Sequence, residues 1–283
     1  MTDLSDMTNP VPAVTPGPPA AATAPERSLL SVAADNKWVQ RLVVWGALLV
    51  VYEIAAVAAG PFYLPTIEKI LGGFVDIAQQ GRIPTLLSSL EHLAAGFGLA
   101  VVVGVPVGLA MGRSPVVDAV VGMYVRGLFV TSLAAVLPLL IMLFDVGFRF
   151  RLVVVFLFSV FFIIVNTAAG ARAVPEQLIT TARSFGVSPL RRFTTVVLPS
   201  SLPYVIVGLR LGIANAFTGM VLAELWVSTG TGAVLKGLGQ NRQLPEFFAF
   251  VLLITALAAL ATFGLRVAER RLMPWAEEVR NVD

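Results

Sequence analysis

Residues 152–171 read LVVVFLFSVFFIIVNTAAGA, and residues 172–201 continue RAVPEQLITTARSFGVSPLRRFTTVVLPSS. The first stretch is long and carries no charge. A helix of about 20 residues, rising 1.5 Å per residue, crosses the hydrocarbon core of a bilayer and satisfies its own backbone hydrogen bonds there. The second stretch changes character at once: Arg172, Glu176, Arg183, Arg191 and Arg192 are interleaved with apolar residues. A membrane span runs directly into a charged, amphipathic segment.

Working outward, the chain holds further apolar runs of similar length: Leu42–Ala59, Leu93–Met111, Leu128–Phe144, Leu202–Trp226 and Phe247–Leu265. With Leu152–Ala171 they predict six membrane helices and an all-α polytopic membrane protein. Composition agrees. Of 283 residues, 57% are hydrophobic and 13% charged, against about 25% charged in soluble domains, and mean hydropathy is +0.85. A soluble enzyme and a disordered chain are both excluded on that ground. The net charge is +3. Its basic residues lie scattered between apolar runs, the pattern of loop anchoring at a bilayer surface and not of a nucleic-acid patch, so membrane lipid is the expected environment and no nucleic acid is expected. The sequence has no cysteine and one histidine. Disulfides, thiol catalysis, thiolate metal sites and any site needing two histidines are therefore ruled out. Glu91-His92 alone does not make a metal site, and no metal is expected.

Residues 1–36 contain Pro10, Pro12, Pro16, Pro18, Pro19 and Pro25. Such a segment buries no core and is read as a disordered tail; no cleaved signal peptide is expected. Orientation follows from Lys and Arg. With the N-terminus in the cytoplasm, the inner segments hold Arg27, Lys37, Arg41, Arg113, Arg126, Arg172, Arg183, Arg191, Arg192, Arg266, Arg270, Arg271 and Arg280. The outer loops hold only Lys69, Arg82, Arg149, Arg151, Lys236 and Arg242. The excess predicts both termini inside, which makes 172–201 the largest inner loop. The second span carries Gly96, Ala100, Gly104, Gly108 and Gly112, each four apart. That stripe lets another helix approach closely in lipid, and Pro106 within it predicts a kink.

Residues 172–201 read as helix, turn, helix. Pro175 suits a first helical turn. Leu178, Ile179, Ala182 and Phe185 recur at helical spacing and predict one apolar face. Gly186 is placed to end the helix in a positive-φ conformation. Ser188-Pro189 suits an N-cap and first position. Leu190, Phe193 and Val197 continue the stripe, and Leu198-Pro199 is expected to stop it. An apolar face on such a loop needs a cover, either lipid headgroups or a groove on a soluble partner.

This loop resembles the EAA motif of ABC-importer permeases, E-A-A-x3-G-x9-I-x-L-P. The matching residues are Thr180, Thr181, Ala182, Gly186, Val196, Leu198 and Pro199. Threonines replace the leading Glu and first Ala, and Val replaces Ile; the spacing is kept. The resemblance continues in Leu137-Pro138-Leu139-Leu140-Ile141, Phe144-Asp145-Val146-Gly147, Asn166 to Arg172, Pro203, Gly208-Leu209-Arg210 and Ala223-Glu224. It covers about Trp38 to Leu272 and is nearest to the nitrate, aliphatic-sulfonate and taurine subfamily. It implies a six-helix type I ABC importer transmembrane domain over 37–272 in a bacterial cytoplasmic membrane, with residues 273–283 as a cytoplasmic tail. It further implies two ATPase subunits docked on the 172–201 loop, where Arg183, Phe185 and Leu190 join the motif residues as coupling contacts. A second permease copy and an extracytoplasmic solute-binding protein complete the assembly. The chain itself is expected to hold no cofactor, with ATP and Mg on the partner ATPase. It agrees in lacking G-x-x-x-x-G-K-[ST]: the nearest approach, Gly230 to Gly237, has no glycine before Lys236 and is read as a flexible loop or a gate-adjacent turn. The implied activity is alternating-access import of a small solute, best matched by a sulfonate, taurine or nitrate; the chain is not an enzyme.

Ionisable and polar groups within apolar runs are candidates for the pathway or gate. They are Glu53, Ser132, Arg210, Asn215, Thr218 and Glu224. Each has a structural alternative: interface anchoring by snorkelling for Arg210 and for Arg126, and interhelical hydrogen bonding for the neutral residues. Asp145 is read as a cap or anchor. Three other protein classes compete with a permease. An intramembrane protease needs a serine and a histidine within the bundle, and His92 lies at a helix entrance. An ion-driven secondary transporter carries paired repeats, and no segment recurs. A non-transporting scaffold would use the same loop without coupling it to transport.

Overall fold

A computed structural model describes residues 37–272, which are helices and short connections with no strand among them. The tails expected at 1–36 and 273–283 lie outside the described residues. The chain divides into two compact units, residues 1–54 and 55–283. The described part of the first is the opening of helix α1 (Lys37–Ala59). Leu42, Trp45, Leu48, Val51 and Ile54 are all exposed there, so this segment is apolar around its circumference, as a helix surrounded by lipid is.

The second unit continues with α2 (Ile67–Gln79), α3 (Ile83–Arg113), α4 (Pro115–Val130), α5 (Leu133–Phe144), α6 (Phe148–Ala173), α7 (Glu176–Ser184) and α8 (Pro189–Arg192). A π-helical turn, Phe193–Val197, leads into α9 (Leu198–Val227), then α10 (Gly230–Gln240) and α11 (Leu244–Leu272). Among the described residues five helical segments are long and apolar enough to cross a membrane, and a sixth crossing is made if α4 and α5 together count as one.

The core forms on α6. Phe150, Val154, Val155 and Ile163 of this helix are fully buried, and α3 and α9 flank it. The small-residue stripe of α3 provides one contact, as expected from its spacing. Gly96 meets Val155, Gly104 meets Ile163, Gly108 meets Thr167 and Gly112 meets Ala171. The sequence separation is the same at every contact, so α3 and α6 run parallel. On the other side Gly170 meets Tyr204, Gly208 meets Asn166 and Gly212 meets Ile163, an antiparallel pairing of α6 with α9. Lipid supplies no hydrophobic drive for helices to associate, so close van der Waals approach at small residues does the work.

Parallel neighbours need a return crossing, and α4 with α5 supplies it. The sequence predicts one straight helix over Leu128–Phe144; the structure instead has two helices meeting at 105°. Thr131 and Ser132 at the junction adopt extended backbone (ψ 136° and 100°), and the Thr131 hydroxyl donates back to the Gly127 carbonyl at 3.0 Å. Hydroxyl side chains that bond locally compete with the helical ladder, an effect invisible to a count of apolar residues. Beyond the break, Leu137 and Leu140 pack with Phe150, Val154 and Ala223.

Two further helices depart from the sequence reading. Helix α2 falls in a stretch with no predicted span. It buries Ile70, Gly73 and Ile77 at helical spacing, and a Cβ at Gly73 would lie 2.8 Å from the Pro245 carbonyl of α11. Residues 230–237, expected as a flexible loop or a gate-adjacent turn, instead open the helix α10, whose Thr231, Leu235 and Leu238 are buried. Its glycines disfavour helix, but burial and the capping described below outweigh that.

Candidate functional site

The segment between α6 and α9 is a helical hairpin with the predicted turn. Helix α7 starts after Pro175, which occupies the cap and not the first turn, and it ends at Phe185. Gly186 has φ +71°, and the turn closes through Gly186 N–H to the Arg183 carbonyl at 2.9 Å and Val187 N–H to the Ala182 carbonyl at 3.1 Å. A Cβ on Gly186 would meet nothing within 4 Å. The requirement for glycine there is one of backbone conformation, not of space. Ser188 and Pro189 then begin α8 as cap and first residue.

The expected stop at Leu198-Pro199 does not occur. The helix widens at Phe193–Val197, where Leu198 N–H bonds back five residues to the Phe193 carbonyl, and continues into α9. Pro199 lacks an N–H, and its ring crowds the carbonyl four residues back in a regular helix. A widened turn just before the proline relieves that clash. The hydroxyls of Thr194 and Thr195 bond to carbonyls of the preceding turn, Thr195 Oγ1 to Arg191 at 2.6 Å. The second arm of the hairpin and the membrane helix α9 are therefore one continuous rod, Pro189–Val227.

The predicted apolar stripe divides in two. Ile179 turns inward and packs with Val174, Val197, Phe193 and Val196. Ala182 is half-buried and Leu178 exposed. Phe185 and Leu190, on either side of the turn, are 82% and 76% exposed. Thr180, Thr181 and Arg183 are also exposed, while Val196, Leu198 and Pro199 are half-buried. Ion pairs anchor the hairpin's surroundings. Arg113 at the end of α3 lies 3.8 Å from Glu176 and donates to the Ala171 carbonyl. Asp118 of α4 accepts from Arg172 at 2.6 Å and from Arg126 at 3.2 Å, so Arg126 is paired with a carboxylate on its own helix.

The polar candidates of the spans are not gathered into one place. Glu53 is half-buried on α1, in the first unit. Ser132 is exposed at the α4–α5 break. Arg210 of α9 is ion-paired with Glu269 of α11. Asn215 donates to the Leu211 carbonyl and Thr218 to that of Ala214, each within its own helix. Thr218 lines an open groove of about 410 Å³ with Phe217, Ile254 and Thr255, between α9 and α11. Asp145 has φ +59° and caps α5, its carboxylate accepting from Val146 N–H at 2.7 Å.

Glu224 is different. It is fully buried, at the end of α9 remote from the hairpin. Its Oε2 accepts from Ser89 Oγ at 2.9 Å, from Thr231 N–H at 2.7 Å, from the Thr231 hydroxyl, and from Gly232 N–H at 3.4 Å. Arg151 Nη1 lies 3.9 Å from Oε1. A carboxylate against the first turn of α10 satisfies amides that the helix cannot, and complements its dipole. The sequence marks Glu224 as uncomfortable in an apolar run, but Ser89, Arg151 and Thr231 were missed. They come from three other helices, and nothing in local spacing relates them.

A multi-span helical bundle carrying an apolar-tipped hairpin fused to one of its spans is a polytopic membrane protein with a face fit to engage a partner. Residues 100–274 match the family model described as the binding-protein-dependent transport system inner membrane component. The chain belongs to that family: it is an inner-membrane permease subunit of an ABC importer, of the nitrate, sulfonate and taurine type. It is 30% identical to the taurine transport system permease protein TauC of Escherichia coli, over 84% of this chain and 88% of that protein. It is 26% identical to the putative aliphatic sulfonates transport permease protein SsuC of Bacillus subtilis, over 84% and 88%. It is 27% identical to the bicarbonate transport system permease protein CmpB of Synechocystis, over 66% and 68%. Membership makes the chain a transport subunit and not an enzyme, with a binding protein and separate ATPase subunits as its partners.

Proposed function

We propose that the chain forms the membrane pathway for a small anion, such as a sulfonate, taurine or nitrate, and that alternating access is driven through the 172–201 hairpin by two ATPase subunits that carry the ATP and Mg. The observation that carries this reading is the exposure of Phe185 and Leu190 at the tip of a hairpin whose second arm is continuous with α9. Two large apolar side chains left uncovered at a hairpin tip favour a partner groove that takes them up. A rod joining that tip to a span passes a push on the tip into the bundle. In this arrangement Thr180, Thr181, Ala182, Arg183 and Gly186 shape the docking face, and Val196, Leu198 and Pro199 set its junction with α9. The hairpin then faces the cytoplasm with both termini, and a second copy of the chain completes the pathway. Asn215 and Thr218, on one face of α9, are the residues best placed to line it, with Ser132 exposed at the α4–α5 break and Arg210 nearer the hairpin.

The names of the relatives favour an oxyanion, since taurine, aliphatic sulfonates and bicarbonate share that chemistry. The experiment deletes the gene and compares uptake of labelled taurine, an alkanesulfonate, nitrate and bicarbonate, with wild-type chain or Gly186→Val restored. Loss of one compound, rescued by wild type only, supports both substrate class and coupling loop. Equal rescue by Gly186→Val overturns the hairpin's role.

A further inference from the structure

Glu224 is fully buried, as are its partners Ser89 and Thr231, and transport as outlined above gives this cluster no part. It lies some 26 residues along α9 from the hairpin junction, or about 40 Å at 1.5 Å per residue. One carboxylate holds four helices there: α9 through its own backbone, α3 through Ser89, α6 through Arg151, and α10 through Thr231 and Gly232. The turn between α9 and α10 is moulded on it. Ser228 and Gly230 take positive φ of 51° and 55°, and a Cβ at Gly230 would lie 2.5 Å from the carboxylate carbon. A Cβ at Gly232 would collide with the Glu224 backbone itself.

We propose that Glu224 is a positioning residue that fastens α3, α6, α9 and α10 into one rigid block at the end of the bundle remote from the hairpin, so that this end opens and closes by movement of the whole block. The competing device is a latch whose parts separate in each cycle. A latch suits groups that water can reach and rehydrate as they part. This cluster has the opposite build: the carboxylate is enclosed, its hydrogen bonds come from α3 and α10 and its ion pair from α6, and separating them would strand a buried charge. The inference rests on the alternating-access reading above, and it adds where the bundle does not part.

Hydrogen exchange on the unmodified permease–ATPase complex in lipid tests it without any substitution. Protection of the Thr231 and Gly232 amides is compared between nucleotide-free and ATP–vanadate-trapped complex. A rigid block keeps both amides protected to within about twofold in the two states, whereas a latch loses about tenfold or more in one. The second measurement uses the natural absence of cysteine. Ser89 Oγ lies 3.2 Å from Thr231 N, so Ser89→Cys with Thr231→Cys brings two thiols close together, and a small added oxidant such as iodine, reduced to iodide, joins them as a disulfide. ATP hydrolysis by the joined complex should stay within about twofold of the unjoined one; near-complete arrest, reversed by reduction, overturns the proposal. The same exchange data report on the amides of Phe185, Gly186 and Val187. Failure of the coupling reading shows as no added protection there when the ATPases bind, and failure of the rigid block shows at Thr231 and Gly232.

Discussion

Gly108 of α3 packs so closely on Thr167 of α6 that a Cβ at Gly108 would lie 2.6 Å from the Thr167 Cβ and 2.8 Å from the Ile164 carbonyl. Backbone sits behind the second contact, so the neighbour cannot simply rotate away. Gly108→Val should therefore push α3 off α6 and cost about 1–3 kcal/mol or more by overpacking. Gly98, on the same helix, would meet nothing within 4 Å. Gly98→Val should leave stability nearly unchanged. Detergent-solubilised thermal melts of the two variants check the contrast, and equal melting temperatures would contradict the parallel α3–α6 packing.

Arg210 and Glu269 form a second testable pair, joining α9 to α11 with both side chains about a quarter to a third exposed. Removing one partner leaves a partly enclosed charge, so Arg210→Ala and Glu269→Ala should each destabilise, by less than the about 3–5 kcal/mol seen for fully buried pairs. The double variant Arg210→Met with Glu269→Leu should recover much of that loss. A double-mutant cycle completed with Arg210→Ala/Glu269→Ala reads the coupling from melting temperature; strictly additive losses of the two alanine variants would show that the pair contributes nothing.

The contrast between these pairs shows what sequence carries. The glycine stripe of α3 announces a close helix contact because small residues four apart mark one face, and the structure puts α6 there. Gly186 announces a turn because a helix-ending positive φ favours glycine locally. Arg210 and Glu224 announce only that an ionisable group sits in an apolar run. Their partners Glu269, Ser89 and Arg151 are distant in sequence, and tertiary packing alone selects them. The same limit explains the third span. Hydropathy sees one apolar run at 128–144, while the bend is made by the hydroxyl residues Thr131 and Ser132. It explains Pro199 too, since a proline stops a helix only if the turn before it cannot widen, and Phe193–Val197 widens.

Gly186 gives a prediction that separates conformation from bulk. Space is open around it, so a larger side chain is penalised only through φ. The left-handed conformation costs an ordinary residue about 1–2 kcal/mol, asparagine less, and a β-branched residue most. Gly186→Asn should retain most ATP-driven uptake in proteoliposomes, and Gly186→Val should lose it while the chain still inserts into the membrane. If Asn and Val behave alike, the turn conformation is not what coupling requires.

Phe185 and Leu190 test the docking face directly. Both side chains are mostly exposed, so Phe185→Asp and Leu190→Asp should leave the melting temperature of the isolated permease unchanged. In the assembled complex each would bury a charge where an apolar side chain belongs. Burying such a side chain contributes about 1.5–3 kcal/mol, so each variant should weaken ATPase association by about ten- to a hundredfold. Ile179→Asp supplies the contrast, because Ile179 is buried within the hairpin against Val174 and Val197. That variant should destabilise the hairpin itself and lower the melting temperature as well as ATPase binding. Quantitative co-purification of the ATPase with each variant, alongside thermal melts of the permease, distinguishes the two. Unchanged ATPase recovery with Phe185→Asp and Leu190→Asp together would place the docking surface elsewhere on the chain.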